Sequence, residues 1–80
     1  MVVNAPSGLN VRSAPAVSPT NRIGGARLGQ PVNVLGQAAN GWLQIQAVNS
    51  DNGQLVTGFI CNTCPEAPGG PWVGPGGANV

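Results

Sequence analysis

Two cysteines are the residues best suited to chemistry in this chain of 80 residues. Cys61 and Cys64 are separated by two residues, a spacing found in redox pairs, in half of a zinc site and in local disulfides. Pro65 and a Gly/Pro-rich stretch follow, so no helix N-terminus is predicted that would lower a thiol pKa. With no histidine and no further cysteine, a zinc site would need ligands from a second chain. A local disulfide, an inter-chain disulfide and free thiols stay open, and we expect no metal and no cofactor.

The sequence contains few side chains suited to acid–base or nucleophilic catalysis. The two carboxylates, Asp51 and Glu66, lie in a predicted turn and in the Gly/Pro-rich stretch, so they do not form a catalytic pair. No histidine is present to activate a serine, and no glycine-rich phosphate loop precedes a helix. We therefore predict that the chain is not an enzyme.

Charged residues are scarce. Three arginines and two carboxylates give a net charge of +1. Scattered arginines do not make the positive patch that nucleic-acid binding requires, and no apolar run approaches the roughly 18 residues of a membrane span. We expect no nucleic-acid partner and no membrane insertion. Such a neutral polar surface is typical of a secreted, robust domain or of a subunit packed against others.

Apolar residues recur with a period of two, which indicates short, half-buried strands. No window shows a helical stripe. The predicted strands lie near 9–12, 23–25, 31–36, 42–48 and 54–61. Asn40-Gly41 and Asn52-Gly53 are turn dipeptides that would close two successive hairpins, because both residue types tolerate positive φ. Five or six strands with such regular turns favour an all-β fold, a small barrel.

The last sixteen residues differ in composition from the rest. Residues 65–80 contain four prolines and five glycines, so we predict a barrel over 1–64 and an extended tail or linker over 65–80. Trp72 lies within this tail. A tryptophan gains nothing from facing water, so we interpret it as an anchor that docks on this barrel or on a neighbour.

Trp42 is the strongest candidate for ligand contact. Leu43 and Ile45 take the core parity of their strand, so Trp42 and Gln44 should face the other way. A partly exposed tryptophan beside an amide suits stacking and hydrogen bonding to a sugar or peptide. The alternative is that the N-terminal segment or a loop covers Trp42.

One motif carries a family resemblance. The chain reads Leu9-Asn10-Val11-Arg12-Ser13-Ala14-Pro15, then Ile23-Gly24, Gly41-Trp42 and Gly58-Phe59. This series resembles the bacterial SH3 (SH3b) family over residues 3 to about 61. The resemblance implies a small SH3-like barrel that binds partners without doing chemistry, with Trp42 beside the ligand groove and an RT-type loop near 15–20. Phe59 stands where the family often has tryptophan, and Cys61 to Cys64 replace an aromatic at the end of the barrel.

Two further residues are weighed as partner contacts. Arg12 is expected to be mainly structural, with its stem on apolar surface and its guanidinium bonding loop carbonyls. Phe59 is expected to belong mainly to the core. Both are kept with Trp42, Gln44 and Trp72 as candidate binding residues.

Two functions compete. The one we favour from the sequence is an assembly or surface subunit, such as a virion decoration or an extracellular array, with protein contacts through barrel and tail. The alternative, which the resemblance implies, is a peptidoglycan-targeting domain of a larger envelope protein or hydrolase. Residues 1–6 lack a basic segment and an apolar segment, so no signal peptide is predicted in this chain. The expected location is extracellular or on a virion surface.

Overall fold

Seven short β-strands make up the described part of this chain. The computed structural model describes residues 1–75. Its strands are β1 (Val2–Val3), β2 (Leu9–Arg12), β3 (Arg22–Ala26), β4 (Asn33–Gln37), β5 (Trp42–Val48), β6 (Leu55–Cys61) and β7 (Val73–Gly74). A 3₁₀ turn covers Ala39–Gly41, and residues 1–75 contain no α-helix. The all-β prediction is confirmed. Over the same residues, no helix is long and apolar enough to cross a membrane.

The strands form two antiparallel sheets. A five-stranded sheet has the order β3-β2-β6-β5-β4, and a two-stranded sheet pairs β1 with β7. The β5–β6 hairpin is the longest ladder, running from Trp42 opposite Cys61 to Val48 opposite Leu55. Strand β2 pairs with β3 on one side and with β6 on the other, where Arg12 lies opposite Phe59. Because β2 lies between β3 and β6, the segment Leu9–Arg12 lies beside the β5–β6 hairpin.

The predicted turns have the backbone that their residue types favour. Asn40 and Gly41 have φ of 58° and 80°, in the left-handed region, and they connect β4 to β5. Gly41 is also needed for space, because a Cβ there would lie 2.5 Å from the carbonyl carbon of Thr63. Gly53, with φ of 76°, serves the β5–β6 turn, where its N–H donates to the Asn49 carbonyl at 2.7 Å. Both hairpin predictions are confirmed.

A single main core lies between the two sheets. Its buried members are Val3, Ala5, Val11, Ala26, Val32, Leu43, Ile45, Ala47, Ile60 and Val73. The alternation of Leu43, Ile45 and Ala47 in β5 therefore points inward, as the period of two predicts. The N-terminal strand β1 and the C-terminal strand β7 contribute to the same core as the central strands. The two ends of the described chain thus close the fold together.

The extended tail predicted from Pro65 onward is wrong for residues 65–75. These residues turn back onto the barrel, and Val73 pairs with Val3 and is only 2% exposed. A strand of two residues is too short to show an alternation of apolar and polar residues. The Gly and Pro residues around it are typical of loops, so the sequence did not indicate a strand there. Residues 76–80, the rest of the predicted tail, lie outside the described residues.

Asn62 holds residues 65–75, which we call the returning segment, in place. Its backbone carbonyl accepts the Trp72 N–H at 3.1 Å, and its side-chain Oδ1 accepts the Val73 N–H at 3.0 Å. On the other side, the Asn4 N–H donates to the Trp72 carbonyl at 2.7 Å. These bonds satisfy backbone groups of a segment that has only a two-residue ladder.

The cysteine pair forms a local disulfide. Cys61 and Cys64 are bonded to each other, with their Cα atoms 5.5 Å apart, and both are buried. Of the alternatives left open by the sequence, the structure has the local one. The bond lies where β6 ends, so it constrains the turn from which residues 65–75 return.

Replacing Val73 with alanine should test whether the returning segment belongs to the core. We expect Val73→Ala to lower the free energy of unfolding by about 1.5–2.5 kcal/mol, because it removes two buried methyl groups. The matched control is Val17→Ala, since Val17 is 55% exposed in a loop. Urea denaturation measures both variants. Equal stability of the two would show that β7 does not pack as described.

Removing the disulfide should also weaken the fold. For a closed loop of four residues, chain entropy alone predicts that Cys61→Ala/Cys64→Ala loses about 2 kcal/mol of unfolding free energy. Thermal unfolding of the oxidised chain, the reduced chain and the double variant measures this. We expect both altered forms to melt below the oxidised chain, and an unchanged melting temperature would contradict the assigned role.

Candidate ligand-binding groove

Arg12 at the end of β2 fixes the loop that follows. One guanidinium nitrogen, Nη1, donates to the Ser18 carbonyl at 2.9 Å and to Asn21 Oδ1 at 2.8 Å. The Asn21 amide in turn donates to the Ala16 carbonyl at 2.8 Å. The expected bonding of the guanidinium to a loop carbonyl is therefore observed. It holds residues 13–21 against β2 with a defined shape.

Trp42 is buried, so the prediction of partial exposure is wrong. Its side chain is 2% exposed and packs in a second cluster with Cys61 and Cys64. The predicted parity is nevertheless right, because Leu43 belongs to the main core while Trp42 lies on the other face of β5. The disulfide turn and Ala67 cover that face.

The indole nitrogen of Trp42 is a buried donor without an acceptor. Within residues 1–75, Trp42 Nε1 is the buried side-chain nitrogen or oxygen that finds no hydrogen-bond partner. Leaving such a group unpaired costs about 1–3 kcal/mol. An oxygen of a ligand that reached this nitrogen would recover part of that cost.

Trp72 docks on the same barrel, one of the two surfaces expected for it. Its Nε1 donates to the Ala67 carbonyl at 2.8 Å, and its half-buried ring contacts both the main core and the Trp42 cluster. The ring therefore joins residues 65–75 to the rest of the fold. Its remaining surface faces solvent beside the start of β2.

A groove separates the start of β2 from the returning segment. It consists of two hollows of about 150 and 210 Å³ that share Gly8, Leu9 and Ala67 as lining residues. The first is also lined by Asn10, Arg12, Val17, Trp42, Cys61 and Cys64, and the second by Ala5, Pro6, Ser7 and Trp72. We call the two hollows together the β2 groove.

The β2 groove is apolar and nearly uncharged. Among the residues that line it in the described part of the chain, only Arg12 carries a charge. The exposed ion pair between Arg22 and Asp51, at 2.7 Å, lies outside its lining. Indole rings, aliphatic walls and one guanidinium suit a ligand with apolar faces and hydrogen-bond acceptors.

The structure brings three of the five candidate binding residues to the groove. Arg12, Trp42 and Trp72 line it, whereas Gln44 and Phe59 do not. Phe59 lies between Arg12 on β2 and Gln44 on β5 in one row across the sheet, half-buried against the Trp42 cluster. Gln44 is exposed at the end of this row.

Some lining residues were not foreseen from the sequence. Val17 lies in a predicted loop, but nothing in its spacing indicated that it faces a groove. Ala67 lies in the segment predicted to be an extended tail, so its contact with both hollows required the return of residues 65–75. Leu9 was assigned to a strand for its alternation, without a role at a surface.

Comparison with characterised proteins gives one short alignment. Part of this chain is 57% identical over 37 residues to a beta-N-acetylglucosaminidase of Bacillus subtilis (strain 168). The alignment spans 46% of this chain and 4% of that protein, so the similarity concerns a small part of a much larger protein. No solved structure matches significantly.

The family comparison covers most of the sheet. The family described as bacterial SH3 domain matches residues 7–60, which is more than half of the chain. This range includes strands β2 to β5 and all of β6 except its last residue, Cys61. The matched range includes the first motif, Leu9 to Pro15, and so agrees with the resemblance noted in the sequence. The chain belongs to the bacterial SH3 domain family.

Proposed function

We propose that this chain is a non-catalytic module that binds the bacterial cell wall, with the β2 groove as the contact surface for peptidoglycan. The observation that carries this proposal is the groove itself, an apolar and nearly uncharged channel lined by two indoles in a bacterial SH3 domain. The proposal places the chain outside the cell, as part of a larger envelope protein.

The alignment with an acetylglucosaminidase supports a wall ligand. That relative is named for action on N-acetylglucosamine linkages, and the aligned part is only 4% of its length. For this chain we infer a role in holding a wall polymer, not in cleaving it. That role agrees with an apolar groove in a sequence that has few groups suited to catalysis.

The chemistry of the groove agrees with a neutral polymer. Sugar rings present apolar faces that can stack on the half-buried indole of Trp72, whereas Trp42 is 2% exposed and offers no open face. Acetamido groups and peptide bonds present carbonyl oxygens. Arg12 and the unpaired Trp42 Nε1 are donors that carbonyl oxygens could accept from. A strongly charged ligand would find only Arg12 in this groove to pair with.

The assembly function stays an untested prediction, and two of its supports have changed. The cysteines are bonded within the chain and buried, and Trp72 is docked on its own barrel. The described surface still offers exposed apolar side chains for packing: Met1, Val17, Ile23, Leu28, Leu35, Val48 and Leu55. Val48 and Leu55 lie opposite each other on β5 and β6. We favour wall binding because both the groove and the family support it.

Filling the groove should abolish wall binding. Ala67 lines both hollows through a small side chain, so Ala67→Phe should place a ring in the ligand path. We expect cosedimentation with purified peptidoglycan sacculi to weaken at least tenfold, equivalent to about 1.4 kcal/mol. Ala39→Phe is the matched control, because Ala39 is exposed on the 3₁₀ turn and lines neither hollow.

A second variant guards against an effect of folding. Val17→Asp puts a charge at the groove edge, at a position that is mostly exposed and so tolerant of substitution. We expect it to weaken sedimentation with sacculi while its melting temperature stays near that of the parent chain. Undiminished binding of both Ala67→Phe and Val17→Asp would exclude the β2 groove as the contact surface.

A further inference from the structure

A second cleft lies at the other end of β5 from Trp42. It measures about 390 Å³ and lies between residues 27–31 and the β5–β6 turn, with Arg27, Gln30, Pro31, Val48, Asn49, Ser50 and Gly53 along its walls. An adjoining hollow of about 290 Å³ shares Arg27 and Ser50 with it. Because Val48 and Trp42 are six residues apart on one strand, roughly 20 Å separate this cleft from the Trp42 cluster.

The walls of the cleft are fixed by internal hydrogen bonds. Arg27 and Gln30 form a tight turn, in which the Gln30 N–H donates to the Arg27 carbonyl at 3.0 Å and Gly29 has φ of 80°. The Gln30 side chain accepts the Arg27 N–H at 2.9 Å through Oε1 and donates to the Val48 carbonyl through Nε2. The two walls are therefore joined to each other before any ligand arrives.

Arg27 differs from the other two arginines of the chain. Arg12 is bonded to its loop, and Arg22 forms a two-point contact with Asp51 at 2.7 and 3.2 Å. The Arg27 guanidinium has no hydrogen bond or ion pair with any residue from 1 to 75. Its backbone is held by the turn, and its exposed side chain lines the cleft.

The polar side-chain groups of the cleft that have no hydrogen bond within residues 1–75 are suited to a ligand with hydrogen-bond acceptors. The Asn49 amide is used internally, since Oδ1 accepts the Gly25 and Asp51 N–H groups at 3.2 and 2.9 Å and Nδ2 donates to the Ile23 carbonyl. The Ser50 hydroxyl has no side-chain hydrogen bond within the described range. A guanidinium and a hydroxyl thus remain, which together match the two oxygens of a carboxylate.

The nearby carboxylate of the chain does not compete for Arg27. The hydrogen bond from Arg22, assisted by Coulombic attraction, lowers the pKa of Asp51 against a weaker opposing effect of desolvation. Asp51 is therefore ionised and paired with Arg22 at neutral pH. Among the three arginines, the one that lines the cleft and is left unpaired within residues 1–75 is Arg27.

We infer that this cleft binds the free carboxylate at the end of a short peptide, with Arg27 as the anion-pairing group and Ser50 as a hydrogen-bond donor. Val48 and Pro31 give the cleft an apolar wall for the residue that bears the carboxylate. A single unpaired guanidinium favours a monoanion with an apolar body over a polyphosphate chain. The inference deepens the proposed function, on which it rests for the source of such peptides.

Titration followed by amide NMR tests the cleft with defined probes. The probes are N-acetyl-Ala-Ala with a free carboxylate, the same dipeptide as its C-terminal amide, and inorganic phosphate. We expect the free acid to shift the resonances of Arg27, Ser50 and Gly53, with affinity at least tenfold above that of the amide. An amide that binds equally, or phosphate that binds as well as the acid, would overturn the inference.

Charge and position are separated by paired variants. Arg27→Gln should reduce binding of the free acid at least tenfold, and Arg27→Lys should retain part of it because the charge stays without the planar fork. Adding Gln37→Arg to Arg27→Gln restores the net charge at an exposed site near the other end of β5, and should not restore binding. Recovery in that double variant would show a nonspecific charge effect and overturn the inference.

The two proposals fail in different ways. If the chain binds sacculi through the β2 groove but the free acid does not bind, only the carboxylate cleft is refuted. If the free acid binds at Arg27 while sacculi are not bound at all, the wall-binding function is refuted and the cleft stands.

Discussion

The groove depends on one contact, the return of residues 65–75 to the barrel. Asn62 binds the backbone of residues 72 and 73, the disulfide constrains the turn that precedes them, and Val73 enters the core. A small domain buries little apolar surface, so an extra strand in the core is a sizeable part of its stability. The same segment supplies Ala67 and Trp72 to the groove. The same residues therefore stabilise the fold and line the groove.

The barrel could be predicted from local patterns, because they are the patterns that specify it. The alternation in β5 and the Asn-Gly dipeptides determine a strand and a turn within a few residues. The returning segment could not be predicted in that way. Its two-residue strand is held by hydrogen bonds in which Asn62 accepts and Asn4 donates. Asn4 is distant in sequence, and Asn62 is separated from the strand by a turn.

The candidate site was predicted in part for a related reason. Strand parity put Trp42 on the correct face, but parity does not tell whether another segment covers that face. Ala67 and the disulfide turn do cover it, so the indole forms a buried wall of the groove rather than an open platform. Gln44 follows the same parity and remains exposed, because the cover ends before it reaches the middle of β5.

We propose that wall fragments bind between β2 and the returning segment. The most direct measurement is a ¹H–¹⁵N NMR titration of the oxidised chain with soluble peptidoglycan fragments, in which the two indole N–H resonances report separately on Trp42 and Trp72. We expect the Trp42 indole resonance to move most, because its unpaired N–H gains an acceptor, together with the backbone resonances of Gly8 and Leu9. Shifts confined to the exposed residues Leu28 and Leu35, with both indoles unchanged, would contradict it.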